Sequence, residues 1–179
     1  PLLCAGLYEL SRRTERSEPS SFIGSLAVFS RSREGLGIFS LLIVLLWVAW
    51  ERFSAIMLSM MHPLQESKNA IQFVTTVLGP DGQGEIALIW LLAGGIFALG
   101  VFAISIVSVP LLIDRNSDFF TAITTSLRAL ETNVLPMLLW ASIIGLLTLA
   151  CFATLLFGFI LFMPILGHAS WHAYRDLVE

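Results

Sequence analysis

Two histidines, His168 and His172, stand four residues apart, and on a helix that spacing puts both imidazoles on one face. A metal or a haem edge requires such a face. A complete site needs further ligands. No Cys, Asp or Glu falls on a neighbouring segment at the same depth, and Asp176 comes one turn later, nearer water. The same stretch also fits an interfacial cluster in which His168, Trp171, His172 and Tyr174 lie at headgroup level. A second candidate is Glu51–Arg52, an ionisable pair inside an apolar run, which is the pattern of a relay or coupling site. Being adjacent, the two side chains are expected to leave a helix in different directions, and both are long enough to reach the membrane interface. Asp114–Arg115 closely follows Pro110 and suits a structural clamp that holds a surface helix to the end of a span. Gly94 and Ala98 form a small-xxx-small pair that lets another helix approach closely. Ser105 and Ser108, in apolar surroundings, are expected to bond back to helix carbonyls. Cys4 and Cys151 lack C-x-x-C spacing and read as small buried hydrophobes. The sequence contains no Gly-rich phosphate loop, nucleophile elbow or paired carboxylates.

The segments that must carry these residues are unusually apolar. The 179 residues are 56% hydrophobic and 13% charged, and a soluble domain carries about 25% charged residues to stay in solution. Mean hydropathy is +0.85. The net charge of -3, with no basic run beyond Arg12, Arg13 and Arg16, excludes a nucleic-acid footprint. The composition predicts an all-α, polytopic transmembrane bundle in one domain, residues 1–179, with the lipid bilayer as its first partner.

A hydrocarbon core about 30 Å thick takes roughly 20 helical residues. Residues 1–10 read as the tail of a span that begins upstream. Residues 36–61 and 86–113 are spans, the second ending in a kink or early exit near Pro110. Between them, residues 66–78 suit a short surface helix, followed by the turn signal Gly79-Pro80-Asp81-Gly82. Residues 118–131 alternate apolar and polar side chains at helical spacing and are expected to lie along the membrane surface, capped by Asn116 or Ser117. The uncharged run from Val134 to Trp171 would stretch about 57 Å as one helix, too long for one crossing. It is therefore expected to form a hairpin of two spans, 134–153 and 155–174, turning around Cys151 to Gly158.

Two parts of the chain repeat. Pro1, Leu3, Gly6, Tyr8 and Arg12 align with Pro164, Leu166, Ala169, Trp171 and Arg175, and Ser20, Phe22, Leu26 and Arg31 align with Ser117, Phe119, Ile123 and Arg128. Arginines crowd residues 1–35, recur at 115, 128 and 175, and are absent from 62–85, where Lys68 is the one basic residue. With four spans all arginine-bearing segments fall on one face, which the positive-inside rule makes cytoplasmic.

Ala5-Gly-Leu-Tyr-Glu-Leu-Ser-Arg-Arg, Ser108-Val-Pro-Leu-Leu-Ile-Asp-Arg and Leu166-Gly-His-Ala-Ser-Trp-His-Ala-Tyr-Arg together resemble a bacterial integral-membrane family catalogued as a domain of unknown function. The resemblance implies an inner-membrane location and further helix upstream. Some members of that family carry a cytochrome c oxidase label. A haem–copper centre needs histidines on several separate helices, and this chain has three in total. The expected role is a non-enzymatic accessory or scaffold subunit packed against other subunits of a respiratory or photosynthetic complex. A small transporter or channel, and a haem or metal protein built on His168 and His172, are the alternatives.

Overall fold

The computed structural model describes residues 4–19, 33–60, 69, 71–72, 75, 84–115 and 117–178. Among the described residues there are seven helices and no strand: α1 (Ala5–Glu15), α2 (Arg33–Ser59), α3 (Gly84–Ser105), α4 (Ser108–Arg115), α5 (Phe119–Thr132), α6 (Val134–Ala153) and α7 (Gly158–Val178). The expected surface helix at 66–78, its following turn and the first copy of the 20–31 repeat lie largely or wholly outside the described residues.

Among the described residues three stretches are long and apolar enough to cross a membrane: Glu34–Ser59, Glu85–Arg115 and Val134–Ala153. Length and composition alone do not place α7 with them, because His168, His172, Arg175 and Asp176 interrupt its apolar character. The long run from Val134 does break into a hairpin, with the turn at residues 154–157. Thr154 makes the break: its hydroxyl caps the end of α6 and accepts from the Gly158 N–H at 3.1 Å. Leu155 and Leu156 take φ of 50° and 71°, the left-handed region that reverses the chain. A Cβ at position 158 would meet the Thr154 hydroxyl at 2.9 Å and the Cys151 Cα at 3.2 Å, so this close approach needs glycine.

The expected span 86–113 is interrupted. Helix α3 stops at Ser105, Ile106 and Val107 form a turn, and α4 restarts at Ser108. Pro110 causes this, since it has no N–H to give the carbonyl of Ile106 and its ring crowds that carbonyl. Ser126 of α5 repairs the ladder: its hydroxyl accepts from the Val107 N–H at 3.3 Å and donates to the Ala103 carbonyl at 2.6 Å. Ser105 and Ser108 bond back to the carbonyls of Phe102 and Ile104, as their apolar setting led us to expect.

Asp118, rather than Asn116 or Ser117, caps α5, its carboxylate accepting from the Thr121 N–H at 2.9 Å. The buried stripe of α5 consists of small residues, Ala122, Ser126 and Ala129. Its apolar stripe lies beside that seam, with Phe119 against Phe39 and Phe120 76% exposed, as suits a helix lying in an interface.

The described chain divides into two compact units, residues 1–41 with 101–179, and residues 42–100. The first has a core of Tyr8, Phe39, Leu112, Ile113, Trp171 and Tyr174. In the second, α2 and α3 run antiparallel. Trp50 lies across Gly94 and stacks on Phe97 and Trp90, while the Trp90 indole donates to Ser54 at 2.7 Å.

Candidate functional site: a buried polar cluster joining three helix ends

Helices α1 and α7 pack in parallel, with Gly167 against Leu7, Ser11 beside His168 and Glu15 beside Trp171. A Cβ on Gly167 would come within 2.6 Å of Leu7, so the absence of a side chain there sets how closely the two helices approach. Tyr8 and Trp171, equated by the internal repeat, face each other with ring centroids 6.4 Å apart.

Helix α1 also buries polar groups that composition alone would place at the surface. Glu9 and Arg12 are each only 2% exposed. Burying such a pair is costly unless every strong donor and acceptor is matched. Here Arg12 grips Glu9 through two bonds, Nε to Oε2 at 2.8 Å and Nη2 to Oε1 at 2.7 Å, and Arg13 adds a third at 2.7 Å. The fork geometry gives charge-assisted bonds of the stronger kind. The Glu9 hydrogen bond pushes the Arg12 guanidinium above its already high range.

Asp114, at the end of α4, is the hub of the cluster. Its carboxylate accepts from Arg16 at 3.1 Å and from the Tyr174 hydroxyl at 3.1 Å, with Arg175 at 3.6 Å. Arg175 also pairs with Glu15 at 3.4 Å, and Glu15 accepts from the Trp171 indole at 2.8 Å. The C-terminal ends of α1, α4 and α7 thus meet around one carboxylate. Helix C-termini carry partial negative charge, so the arginines in their last turns, Arg12, Arg13, Arg115 and Arg175, neutralise both the dipoles and the carboxylates.

The candidate residues read from sequence meet different fates. Asp114 is a clamp, but it ties α4 to α1 and α7 rather than to the surface helix α5. Arg115 stands 4.0 Å from Asp114 with a half-exposed side chain. His168 contacts Ser11 through Nδ1 at 2.6 Å, whereas His172 is exposed. Among the described residues no group of three His, Cys, Asp or Glu side chains gathers as a metal ion would require. Trp171 and Tyr174 do not line an outward aromatic cluster; at 0% and 1% exposure they are core residues packed on α1. Glu51 and Arg52 do not point apart: Arg52 Nε donates to Glu51 Oε2 at 2.6 Å, because both side chains are long enough to bend toward each other. Gly94 is covered by the Trp50 ring at 3.1 Å, while Ala98 is exposed. Cys4 and Cys151 are free thiols, the first half-buried and the second buried.

Glu9, Ser11, Glu15 and Ser126 were not singled out from sequence, and Tyr174 was expected at headgroup level rather than against Asp114. The spacing of Glu9 to Arg12 and Arg13, three and four residues, is a legible ion-pair signal. Arg12 reads in sequence as a flanking topogenic charge, yet here it is buried. The long-range partners of Ser126 and Asp114 leave no mark in local spacing.

No curated protein and no solved structure matches the chain. A family model described as a predicted integral membrane protein matches residues 1–114, which takes in the Ala5–Arg13 motif and the first part of the 108–115 motif; the 166–175 motif lies beyond the matched residues. Helices of membrane-crossing length, an inward-facing polar cluster and this match agree: the chain belongs to the DUF2189 family of integral membrane proteins.

Proposed function

We propose that the chain is a non-enzymatic structural subunit of a larger assembly in the bacterial inner membrane, with its arginine-rich end on the cytoplasmic face. One contrast carries this reading. Among the described residues the buried charges are satisfied within the chain, Asp114 tying α4 to α1 and α7 and Glu9 pairing with Arg12 inside α1, while α2, α3 and α6 turn large apolar side chains outward, Leu45, Trp47, Leu92, Ile96, Leu139 and Leu146 among them. A subunit of this design has a rigid, self-satisfied end and long apolar faces for lipid and neighbouring helices. The cytoplasmic assignment follows the arginine bias.

Purification of the full chain from native membranes in mild detergent tests the proposal. Stoichiometric recovery with the same set of membrane proteins, at a size well above that of the chain and its detergent, supports it. Recovery alone, together with solute uptake by vesicles reconstituted with the chain, would favour a transporter. A visible absorption band or bound metal in the purified chain would favour the reading built on His168 and His172.

A further inference from the structure

We propose that Arg16 and Arg115 hold the phosphate of an anionic phospholipid where the end of α4 meets the end of α1. This goes beyond the subunit reading and does not depend on it.

Charge is the first argument. The Asp114 side chain is 5% exposed, and three guanidiniums gather on its carboxylate: Arg16 on Oδ1 at 3.1 Å, Arg175 on Oδ2 at 3.6 Å and Arg115 on Oδ2 at 4.0 Å. Arg175 has a second anion in Glu15 at 3.4 Å. Two carboxylates thus face three guanidiniums, and one positive charge is left over. The other acidic groups near this end do not pair with it. Asp118 caps α5, and among the described residues Glu18 and Asp176 form no ion pair with Arg16 or Arg115.

Open donors are the second argument. Arginine carries five N–H donors in a planar fork that matches phosphate oxygens. Arg16 spends Nη2 on Asp114. Arg115, at 4.0 Å, is within ion-pair range but beyond hydrogen-bond range, so among the described residues its fork is unspent. The two side chains are 47% and 52% exposed, so donors face outward while the carboxylate they share lies inside.

Depth is the third. Arg115 is the last residue of the membrane-crossing stretch Glu85–Arg115. Helix α5 follows at once, with Phe120 of its first turn 76% exposed, as suits a helix in the interface. Lipid phosphates lie at that depth, and basic pockets at the ends of spans bind anionic headgroups. A soluble phosphate would engage the arginines alone, whereas a lipid also brings acyl chains to the exposed Phe120 ring.

Native mass spectrometry of the full chain in detergent tests this, by titration with phosphatidylglycerol or phosphatidylcholine for the wild type, R115Q, R115K and R128Q. The expected result is one phosphatidylglycerol bound about tenfold more tightly than phosphatidylcholine, the effect of a charge-assisted hydrogen bond. R115Q should lose that preference at an unchanged thermal midpoint, because Arg115 makes no hydrogen bond to the described chain. R115K should keep most of the preference, and R128Q, exposed further along α5, all of it. Where R115Q also lowers the midpoint, recovery of the preference in R115K supports the site and failure to recover it overturns the proposal. Equal affinity for the two lipids overturns it as well. So does a preference that survives in R115Q or falls as far in R128Q, since a diffuse basic surface would then suffice. Displacement of phosphatidylglycerol by inorganic phosphate would assign the arginines to a soluble anion and sink the lipid.

Discussion

The Ser126 hydroxyl donates to the Ala103 carbonyl across 2.6 Å, from a helix that begins after α4 has ended. It also receives the Val107 N–H, so a single oxygen stands in for the helical hydrogen bond missing at the proline-induced break. Both backbone groups lie beside a side chain with 0% exposure, where water is not an available substitute.

Replacing Ser126 by alanine removes the bridge without adding bulk. Two buried backbone groups then lose their partner, at a cost of about 1–3 kcal/mol. The expected outcome is a lower thermal midpoint in detergent and faster amide exchange at Val107, with helix content otherwise kept. S126T should be the milder variant if the extra methyl is accommodated. Unchanged exchange at Val107 in S126A would mean that the hydroxyl does not hold the break together.

Asp114 predicts a larger and more distributed effect. D114A strips Arg16, Arg175 and the Tyr174 hydroxyl of their common acceptor. Hydrogen bonds to charged groups contribute about 1.5–3 kcal/mol each, though the half-exposed arginines will recover part of their loss from water. The expected result is a clear fall in thermal stability and increased protease sensitivity of the α7 C-terminus. D114N, which keeps an acceptor oxygen but no charge, should fall between wild type and D114A. Equal stability of all three would contradict the hub.

The cap of α5 gives a pH signature. Thr121, through its hydroxyl and then its backbone N–H, holds the Asp118 carboxyl below the usual carboxylate range. A carboxyl depressed in the folded state stabilises the fold fully above its unfolded pKa, about 3.9, and that contribution disappears as pH falls through the lower folded value. Amide protection in the first turn of α5 should therefore weaken in acid in the wild type. In D118N, where the amide caps without titrating, the acid loss at these amides should be smaller. The same acid dependence in both proteins would remove Asp118 as its cause.

Much of the architecture is legible in sequence because the bilayer imposes lengths. The unbroken apolar run from Val134 exceeds one crossing and must turn, and it does so at Thr154–Phe157. Phe119–Thr132 shows its helical period plainly. Other features depend on distant partners. Pro110 announces a disturbance near the end of a span, but nothing nearby says that Ser126 will mend it. Arg12 and Arg16 look alike as charges flanking a span; one proves buried against Glu9 and the other reaches Asp114, which is 98 residues away. His168 and His172 share a face by spacing, yet only His168 meets α1. Spacing along one helix cannot report which neighbour will cover each part of it.

The proposed topology puts the arginine-bearing ends of α1, α4 and α7 on the cytoplasmic side of the membrane. Single-cysteine labelling with an impermeant thiol reagent addresses it directly, using E18C, D176C and N69C in a chain whose Cys4 and Cys151 have been replaced by alanine. In intact cells N69C should label, whereas E18C and D176C should both stay silent until the membrane is permeabilised. Labelling of D176C from the same side as N69C, with E18C protected, would contradict the account.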